Sequence, residues 1–385
     1  MRASGEVEER SATWLELFYD LVFVVTVAEL VALLADDVSL PGVLAYVALF
    51  IPIWWGWIGS TFYATRFDTD DLVHRLMTVV ELFAVVALAV NVHGALDETS
   101  RGFALAYAVL RGVLVFKYFG AGQAIPEARP LTTRYARGFG LDAGLWFASV
   151  FVPPPFRFGL WALGLLVSFG TPITAGDLHG EIPPHASHLP ERFGLFTIIV
   201  LGESVVGLVN GASDQAFSLA SFTIGALGLA VVFSLWWIYF DNLDGSAIRA
   251  AIRAGRTADY QRWLYAHLPL VVGLAAVGLG IDHILVADPA IALPTADRWL
   301  LCGALAVSLF AIGVIHRTTD ACANRPARTQ SLHRFGGGAA ALAVAVFGEP
   351  LTPLALAGVL VVICVAQVAL DLRERRTTSD VAIGG

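Results

Sequence analysis

Residues 14–35 read WLELFYDLVFVVTVAELVALLA, an apolar run that nevertheless carries three acidic residues. A membrane-spanning helix needs roughly 20 mostly apolar residues at about 1.5 Å of rise each. Glu16 and Asp20 are four positions apart and share one helix face, whereas Glu29 follows nine positions later and points to the opposite side. Charges at membrane depth are costly and face the interior of a helix bundle. The stretch therefore predicts a central membrane helix rather than a lipid-facing one.

The composition of the whole chain also indicates a membrane protein. Of its 385 residues, 57% are hydrophobic and 15% are charged, and the mean hydropathy is +0.71. A soluble domain has about 25% charged residues, so this chain has too little polar surface to cover a soluble globule. The net charge of −8 argues against a nucleic-acid partner, which would require basic patches. Three scattered cysteines suit neither a disulfide framework nor a thiolate metal site, and we predict no cofactor or catalytic residue.

Apolar runs that end at Pro, Gly or clusters of charge predict an all-α integral membrane protein with twelve spans. Lys and Arg accumulate on the cytoplasmic side of a membrane. Of the 24 basic residues, Arg101, Arg157 and Arg298 fall on one side and Arg111 inside the fourth span, which leaves 20 on the other side. This asymmetry predicts that both termini are cytoplasmic. The spans cover residues 14–35, 42–63, 72–93, 102–119, 137–152, 157–175, 191–210, 217–240, 260–284, 298–316, 333–348 and 353–371.

The two halves of the chain resemble each other weakly. The first and seventh spans align if Glu29 matches Glu203, and the second and eighth spans both contain a tryptophan pair. This similarity predicts two parallel six-helix repeats, residues 1–176 and 177–385, an arrangement found among transporters. The Trp-rich stretch 53–58, IWWGWI, is typical of an interfacial aromatic belt.

Charged residues within the predicted spans are the candidates for a functional site. By helical rise, Glu81, Arg111 and Glu203 lie roughly 14–18 Å deep, near the middle of a core about 30 Å thick. We expect Arg111 to pair with Glu81 or Glu203. The pair would either fix helix packing alone or supply the counter-charge of an acid that titrates in an ion pathway. The predicted pathway residues are Glu16, Asp20, Glu29, Glu81, Arg111, Glu203 and Ser204.

The segment before the seventh span is rich in histidine. Loop 177–192 contains His179, His185 and His188 together with carboxylates, a set that can bind a transition metal. It lacks the HExxH spacing of a hydrolytic zinc site. A pH-sensitive mouth and an ordinary polar loop are the other interpretations, and metal binding is left open. The predicted cytoplasmic mouth consists of His188, Glu191 and Arg192.

Two motifs resemble the bacterial low temperature requirement A (LtrA) family. They are WLELFYDLVFVVTVAEL at 14–30 and ERFGLFTIIVLGESVV at 191–206, and the resemblance extends over essentially the whole chain. It implies a multi-pass protein of the bacterial plasma (inner) membrane, connected by name with growth in the cold, and it does not specify a substrate. The positions that it marks are Glu16, Phe18, Asp20, Glu29, His188, Glu191, Arg192, Gly202, Glu203 and Ser204.

The depth of the charges favours translocation of a small ion or solute that is coupled or sensitive to protons. One alternative is a passive cation channel lined by the first and seventh spans. Another is a membrane enzyme that acts on lipid with His188 and Glu191 as acid–base groups, although an enzyme would place its acids and histidines at one interface. A non-transporting membrane sensor is the third. The expected partners are the lipid bilayer and a small ion or solute, and the sequence leaves assembly of several copies open.

Overall fold

The chain folds as a succession of α-helices, and the computed structural model describes residues 2–3, 12–68, 71–176, 178–213, 218–241, 245–322 and 329–383. A 3-10 turn at Pro126–Ala128 precedes the fifth helix, and β1 (Arg2–Ala3) pairs antiparallel with β2 (Phe67–Asp68). The helices are α1 (Trp14–Asp36), α2 (Leu40–Arg66), α3 (Leu72–Asn91), α4 (Ser100–Ala124), α5 (Arg129–Ser149), α6 (Phe156–Ala175), α7 (Leu178–Glu181), α8 (His188–Ser213), α9 (Leu219–Phe240), α10 (Ser246–Arg253), α11 (Thr257–Tyr265), α12 (His267–Val286), α13 (Thr295–Cys322), α14 (Thr329–Phe347) and α15 (Pro353–Ile383).

Helix α1 begins with a capping box that fixes the position of an acidic side chain. The Glu16 N–H donates to the Thr13 hydroxyl at 3.3 Å, and the Thr13 N–H donates to the Glu16 carboxylate at 2.8 Å. The box satisfies two amide groups that have no partner within the helix. It also holds Glu16 at the start of the helix, one turn before Asp20.

Ten helical segments within the described residues are long and apolar enough to cross a membrane, so the chain is a multi-pass helical membrane protein. The other two predicted spans fall on α5 and α14, which have 21 and 19 residues and are more polar. The count of twelve therefore stays a prediction. The ten segments are Trp14–Asp36, Leu40–Arg66, Leu72–Asn91, Ser100–Ala124, Phe156–Ala175, His188–Ser213, Leu219–Phe240, Ala258–Val286, Thr295–Ala321 and Pro353–Glu374.

The outer surface of these helices is apolar. On α3 the exposed side chains include Leu72, Leu76, Val79, Phe83 and Val90, which recur every three to four residues apart from the last step. Water would solvate such a stripe poorly, whereas acyl chains would not. The stripe is therefore the face of α3 that meets lipid.

The chain divides into two compact units. The first comprises residues 1–37, 41–195 and 249–257, and the second comprises 38–40, 196–248 and 258–385. In the first unit α3 packs against α1 and α4, and α5 packs against α4 and α6. In the second unit α13 packs against α12 and α14, and α15 packs against α14 and α9. The predicted division into halves at residue 176 stays a prediction.

Four basic residues that the sequence analysis placed in cytoplasmic loops are buried helical residues instead. They are Arg66, Lys117, Arg192 and Arg334, none more than 5% exposed. A charge ends an apolar run in the sequence, but a buried partner on another helix allows the helix to continue through it. The tryptophans of α2 are likewise buried rather than interfacial. Arg10, Arg325 and Arg328, which also entered the charge count, lie outside the described residues.

Candidate functional site

The centre of the candidate site is an ion pair between α1 and the start of α8. A guanidinium nitrogen of Arg192 lies 2.6 Å from the Asp20 carboxylate. The indole N–H of Trp57, on α2, donates to the same carboxylate oxygen at 2.7 Å. All three side chains are buried, so the carboxylate exchanges water for two protein donors. Three helices thus meet at one carboxylate.

A second acid lies one turn earlier on the same face of α1. Glu16 lies 3.5 Å from Arg192 and 3.3 Å from the Nε2 atom of His188, which is fully buried. His188 and Arg192 are four positions apart, as are Glu16 and Asp20, so one turn of α8 faces one turn of α1. Glu191, the third residue of the predicted mouth, accepts a hydrogen bond from the Ala12 N–H at 3.3 Å.

Another buried acid lies beside this cluster in the first unit. The Glu81 carboxylate on α3 lies 2.7 Å from the Lys117 ammonium on α4. It also accepts from the Ser60 hydroxyl at 3.3 Å, and Lys117 donates to the Thr78 hydroxyl at 3.3 Å. Both members of the ion pair are almost wholly excluded from solvent. They therefore form a second charge pair within the helices of this unit.

A cavity of about 740 Å³ lies between these two charge pairs. It is formed by the start of α1, the end of α2, the start of α3, the end of α4 and the start of α8, all within the first unit. Its walls combine charged, hydroxyl and aromatic side chains. The lining residues are Thr13, Trp14, Leu15, Glu16, Phe18, Tyr19, Ser60, Ala64, Phe67, His74, Arg75, Thr78, Val79, Glu81, Lys117 and Arg192.

Arg111 does not pair with Glu81, which corrects the first of the two expected pairings. Its Nε atom lies 2.7 Å from Asp142 on α5, and another guanidinium nitrogen donates to the Ser168 hydroxyl at 2.6 Å. The guanidinium also stacks 4.1 Å from the centroid of the Phe139 ring. Equal depth in the membrane brought Arg111 and Glu81 together in the sequence argument, but the facing helix supplies a nearer acid. This network joins α4, α5 and α6.

Glu29 lies away from the other acids of α1. It lies 3.4 Å from the His93 ring, and both side chains are about two-fifths exposed. It is nine positions beyond Asp20 on the same helix. Glu29 is therefore not part of the cluster around Arg192.

Glu203 and Ser204 belong to the second unit. Glu203 is half-buried, whereas Ser204 is buried and its hydroxyl donates to the Leu274 carbonyl of α12 at 2.8 Å. The backbones of α8 and α12 approach closely at this point. A Cβ added to Gly278 would lie 2.5 Å from the Ser204 Cα. Ser204 therefore contributes to helix packing in this unit.

The histidine loop is tied to the first unit by hydrogen bonds. Arg66 donates to the Nδ1 atom of His179 at 2.7 Å, and the Nε2 atom of His179 lies 2.8 Å from the Pro172 carbonyl. This geometry requires a neutral ring, and burial together with the neighbouring Arg66 charge lowers the pKa of His179 to about 4. No cluster of three His, Cys, Asp or Glu side chains able to hold a metal occurs among the residues described; position 177 is not one of them.

Several members of these networks were not predicted as site residues, among them Lys117, Trp57 and Asp142. Lys117 was counted as a loop charge, Trp57 as part of an aromatic belt, and Asp142 was not singled out. Asp142 carried a signal that could have been used, because it is an acid within a predicted span and therefore requires a partner. Trp57 carried none, since its hydrogen bond depends on the packing of α2 against α1.

The comparisons with known proteins agree with the two motifs at the starts of α1 and α8. The family model of the bacterial low temperature requirement A protein (LtrA) matches residues 11–369. The chain is also similar to an uncharacterized protein of Rhizobium meliloti (strain 1021), at 28% identity over 293 residues, which cover 71% of this chain and 70% of that protein. The match spans nearly the whole chain and includes the charged cluster of α1 and α8. The chain belongs to the bacterial low temperature requirement A family.

Proposed function

We propose that this protein translocates a small ion or solute across the bacterial plasma membrane, with coupling or sensitivity to protons. The observation that carries the proposal is the cavity of the first unit, with buried Glu81–Lys117 and Asp20–Arg192 pairs at its side. Charges within membrane helices cost free energy, pair with one another and mark substrate or ion pathways. A cavity beside them provides the space that a substrate needs.

The arrangement around Arg192 supports a proton-dependent step. Asp20 and Glu16 share this one guanidinium; Trp57 also donates to Asp20, and Glu16 also contacts His188 and Thr13. Protonation of either carboxylate would leave Arg192 paired with the other alone. Because α1 and α8 are joined through this guanidinium, such a change would alter the contact between two membrane helices. Protonation of one of these acids would thereby change the packing of the cavity wall.

The packing within each unit supports a parallel repeat with twelve spans. The successive contacts of α3, α4, α5 and α6 in the first unit match those of α12, α13, α14 and α15 in the second. A hydroxyl also links the corresponding helix pairs. Thr26 on α1 donates to the Val85 carbonyl of α3 at 3.4 Å, and Ser204 on α8 donates to the Leu274 carbonyl of α12. On this proposal α5 and α14 cross the membrane despite their more polar sequences.

Cysteine accessibility tests the proposed topology, in which both termini are cytoplasmic. In a cysteine-free background, single cysteines at the exposed positions Ser39, Asp97 and Ala292 should react in sealed cells with an impermeant thiol reagent applied outside. Cysteines at the exposed positions Glu127 and Ala254 should react only after the cells are permeabilised. Labelling of the second group in sealed cells would refute twelve spans with cytoplasmic ends.

Flux measurements test the proposed function. The purified protein is reconstituted in proteoliposomes, and uptake of a panel of cations and small metabolites is measured against pH. Asp20→Asn protein that remains folded should lose the pH dependence of uptake, since the amide keeps the shape of the side chain but does not ionise. Asp36→Asn is the matched control, because Asp36 ends the same helix and is exposed. If the folded wild-type protein transports no compound of the panel at any pH, translocation is rejected.

A further inference from the structure

We infer that the cavity of the first unit binds an amphiphile with a zwitterionic head, that is, a small group with both charge signs attached to an apolar chain. The inference goes beyond translocation, because it concerns binding and can be tested without flux. It rests on the balance of charge in the cavity wall, on the apolar residues at its rim and on its size.

Charge balance in the wall disfavours a ligand with a single sign of charge. The lining residues include two carboxylates, Glu16 and Glu81, and three cations, Arg75, Lys117 and Arg192. Asp20, which is not in the lining, forms an ion pair with Arg192, so the number of acids at the cavity equals the number of cations. Lys117 lies 2.7 Å from Glu81, and Arg192 lies 3.5 Å from Glu16 and 2.6 Å from Asp20, so a bare anion or cation near these pairs would be repelled about as strongly as it is attracted. A zwitterionic head places each of its charges against an opposite one.

Apolar side chains form one side of the same cavity. Trp14, Phe18 and Val79 line it and are 88%, 53% and 42% exposed, respectively. Val79 belongs to the stripe of α3 that meets lipid, so the cavity opens beside a lipid-facing surface. Tryptophan at the end of a membrane helix is typical of the headgroup region. An apolar chain would therefore lie along this rim while the head reaches the buried charges.

The size of the cavity favours an organic ligand over a metal ion. Its volume of about 740 Å³ is within the range of small-molecule sites, roughly 300–1,000 Å³. Among the described residues, no cluster of three metal-ligating side chains is present, inside this cavity or elsewhere. A single ion would leave most of this space unfilled. A zwitterionic head with the first part of its chain would fill it.

Binding of matched lysolipids tests the inference. The full-length protein in nanodiscs is titrated with lysophosphatidylethanolamine, whose head is zwitterionic, and with lysophosphatidylglycerol, which has the same chain and an anionic head. The zwitterionic lipid should bind at least tenfold more tightly. Free leucine supplies the third titration. If leucine competes with the lipid, the inference is supported and the natural ligand comes from the aqueous phase. If leucine does not compete, the inference is supported and the ligand comes from the membrane.

Two variants locate the binding in the cavity. Ala64→Trp fills the cavity without changing any charge and should weaken binding of the zwitterionic lipid at least tenfold, whereas Leu105→Trp, at an exposed position on α4 outside the lining, should not. Glu81→Gln combined with Lys117→Met removes both charges of one pair and should reduce the preference between the two lipids. Equal binding of the two lipids to the wild-type protein, or unchanged binding to Ala64→Trp, would overturn the inference, whether or not the protein transports a solute.

Discussion

Arg192 and Asp20 form a buried ion pair at 2.6 Å although 172 positions of sequence separate them. The pair joins the first turns of α8 to α1, and the indole of Trp57 completes the hydrogen bonds of the shared carboxylate oxygen. A buried charge without its partner is far more costly than the absence of both charges. This asymmetry makes the pair testable by stability alone, without knowledge of the substrate.

Removal of one member of the Arg192–Asp20 pair should destabilise the protein more than removal of both. We expect Asp20→Asn to cost about 3–5 kcal/mol, because the buried Arg192 guanidinium loses its carboxylate at 2.6 Å and keeps only the more distant Glu16 at 3.5 Å. The double variant Asp20→Asn with Arg192→Gln should recover part of this loss. Thermal unfolding of the wild type, the two single variants and the double variant in one detergent gives the coupling energy between the two residues. Additive effects of the two substitutions would show that the pair is not a coupled unit.

Asp142 and Glu203 should respond differently to conversion into the amide. Asp142→Asn deprives the buried Arg111 of its carboxylate and should cost about 3–5 kcal/mol. Glu203→Gln, at a half-buried position, should change the stability by less than about 1 kcal/mol. Unfolding of both variants under the same conditions provides the comparison. If Glu203→Gln is the more damaging variant, Glu203 has a structural role that its exposure does not indicate.

Gly278 should not tolerate a methyl group. A Cβ at this position would lie 2.5 Å from the Ser204 Cα, so Gly278→Ala must separate α8 from α12 and should cost about 1–3 kcal/mol. Gly336→Ala is the matched control, since nothing lies within 4 Å of its Cβ and alanine favours the helix by roughly 0.5–1 kcal/mol. A stable Gly278→Ala protein, measured by thermal unfolding, would contradict the close approach of the two helices.

The neutral His179 should make stability dependent on pH. Its pKa is lowered from 6.5 to about 4 in the folded protein, so the unfolded chain takes up this proton at a higher pH than the folded chain. The contribution of the neutral His179 to the free energy of unfolding is fully present above about pH 6.5. As the pH falls toward 4, this contribution is lost, by on the order of 2–3 kcal/mol.

The change in melting temperature between pH 7.5 and 5 measures this dependence. It should be smaller for His179→Gln, whose amide does not titrate and can still bond to Arg66 or to the Pro172 carbonyl. An equal change in wild type and variant would assign the pH dependence to other groups.

The predicted acidic face of α1 shows how far local sequence reasoning reaches. The spacing of Glu16 and Asp20 placed both on one face, and in the structure both lie against Arg192. The same reasoning failed for Arg111, because its depth was known but the helix beside it was not. Depth follows from the position of a residue in its own helix, whereas a partner belongs to another helix. The sequence shows that Asp142 is an acid within a predicted span that requires a partner, but it does not show that the partner is Arg111.

The sequence by itself determined the helical membrane architecture, the family and the side of α1 that carries acid. Hydropathy and the helical period are local properties, and a run of about 20 apolar residues fixes them without reference to the rest of the chain. The tertiary structure decided that Lys117 is the partner of Glu81 and that a cavity lies between this pair and Arg192. Those features depend on distances of a few ångströms between helices that are remote in sequence, because a buried charge is stabilised only by groups that packing brings into contact with it.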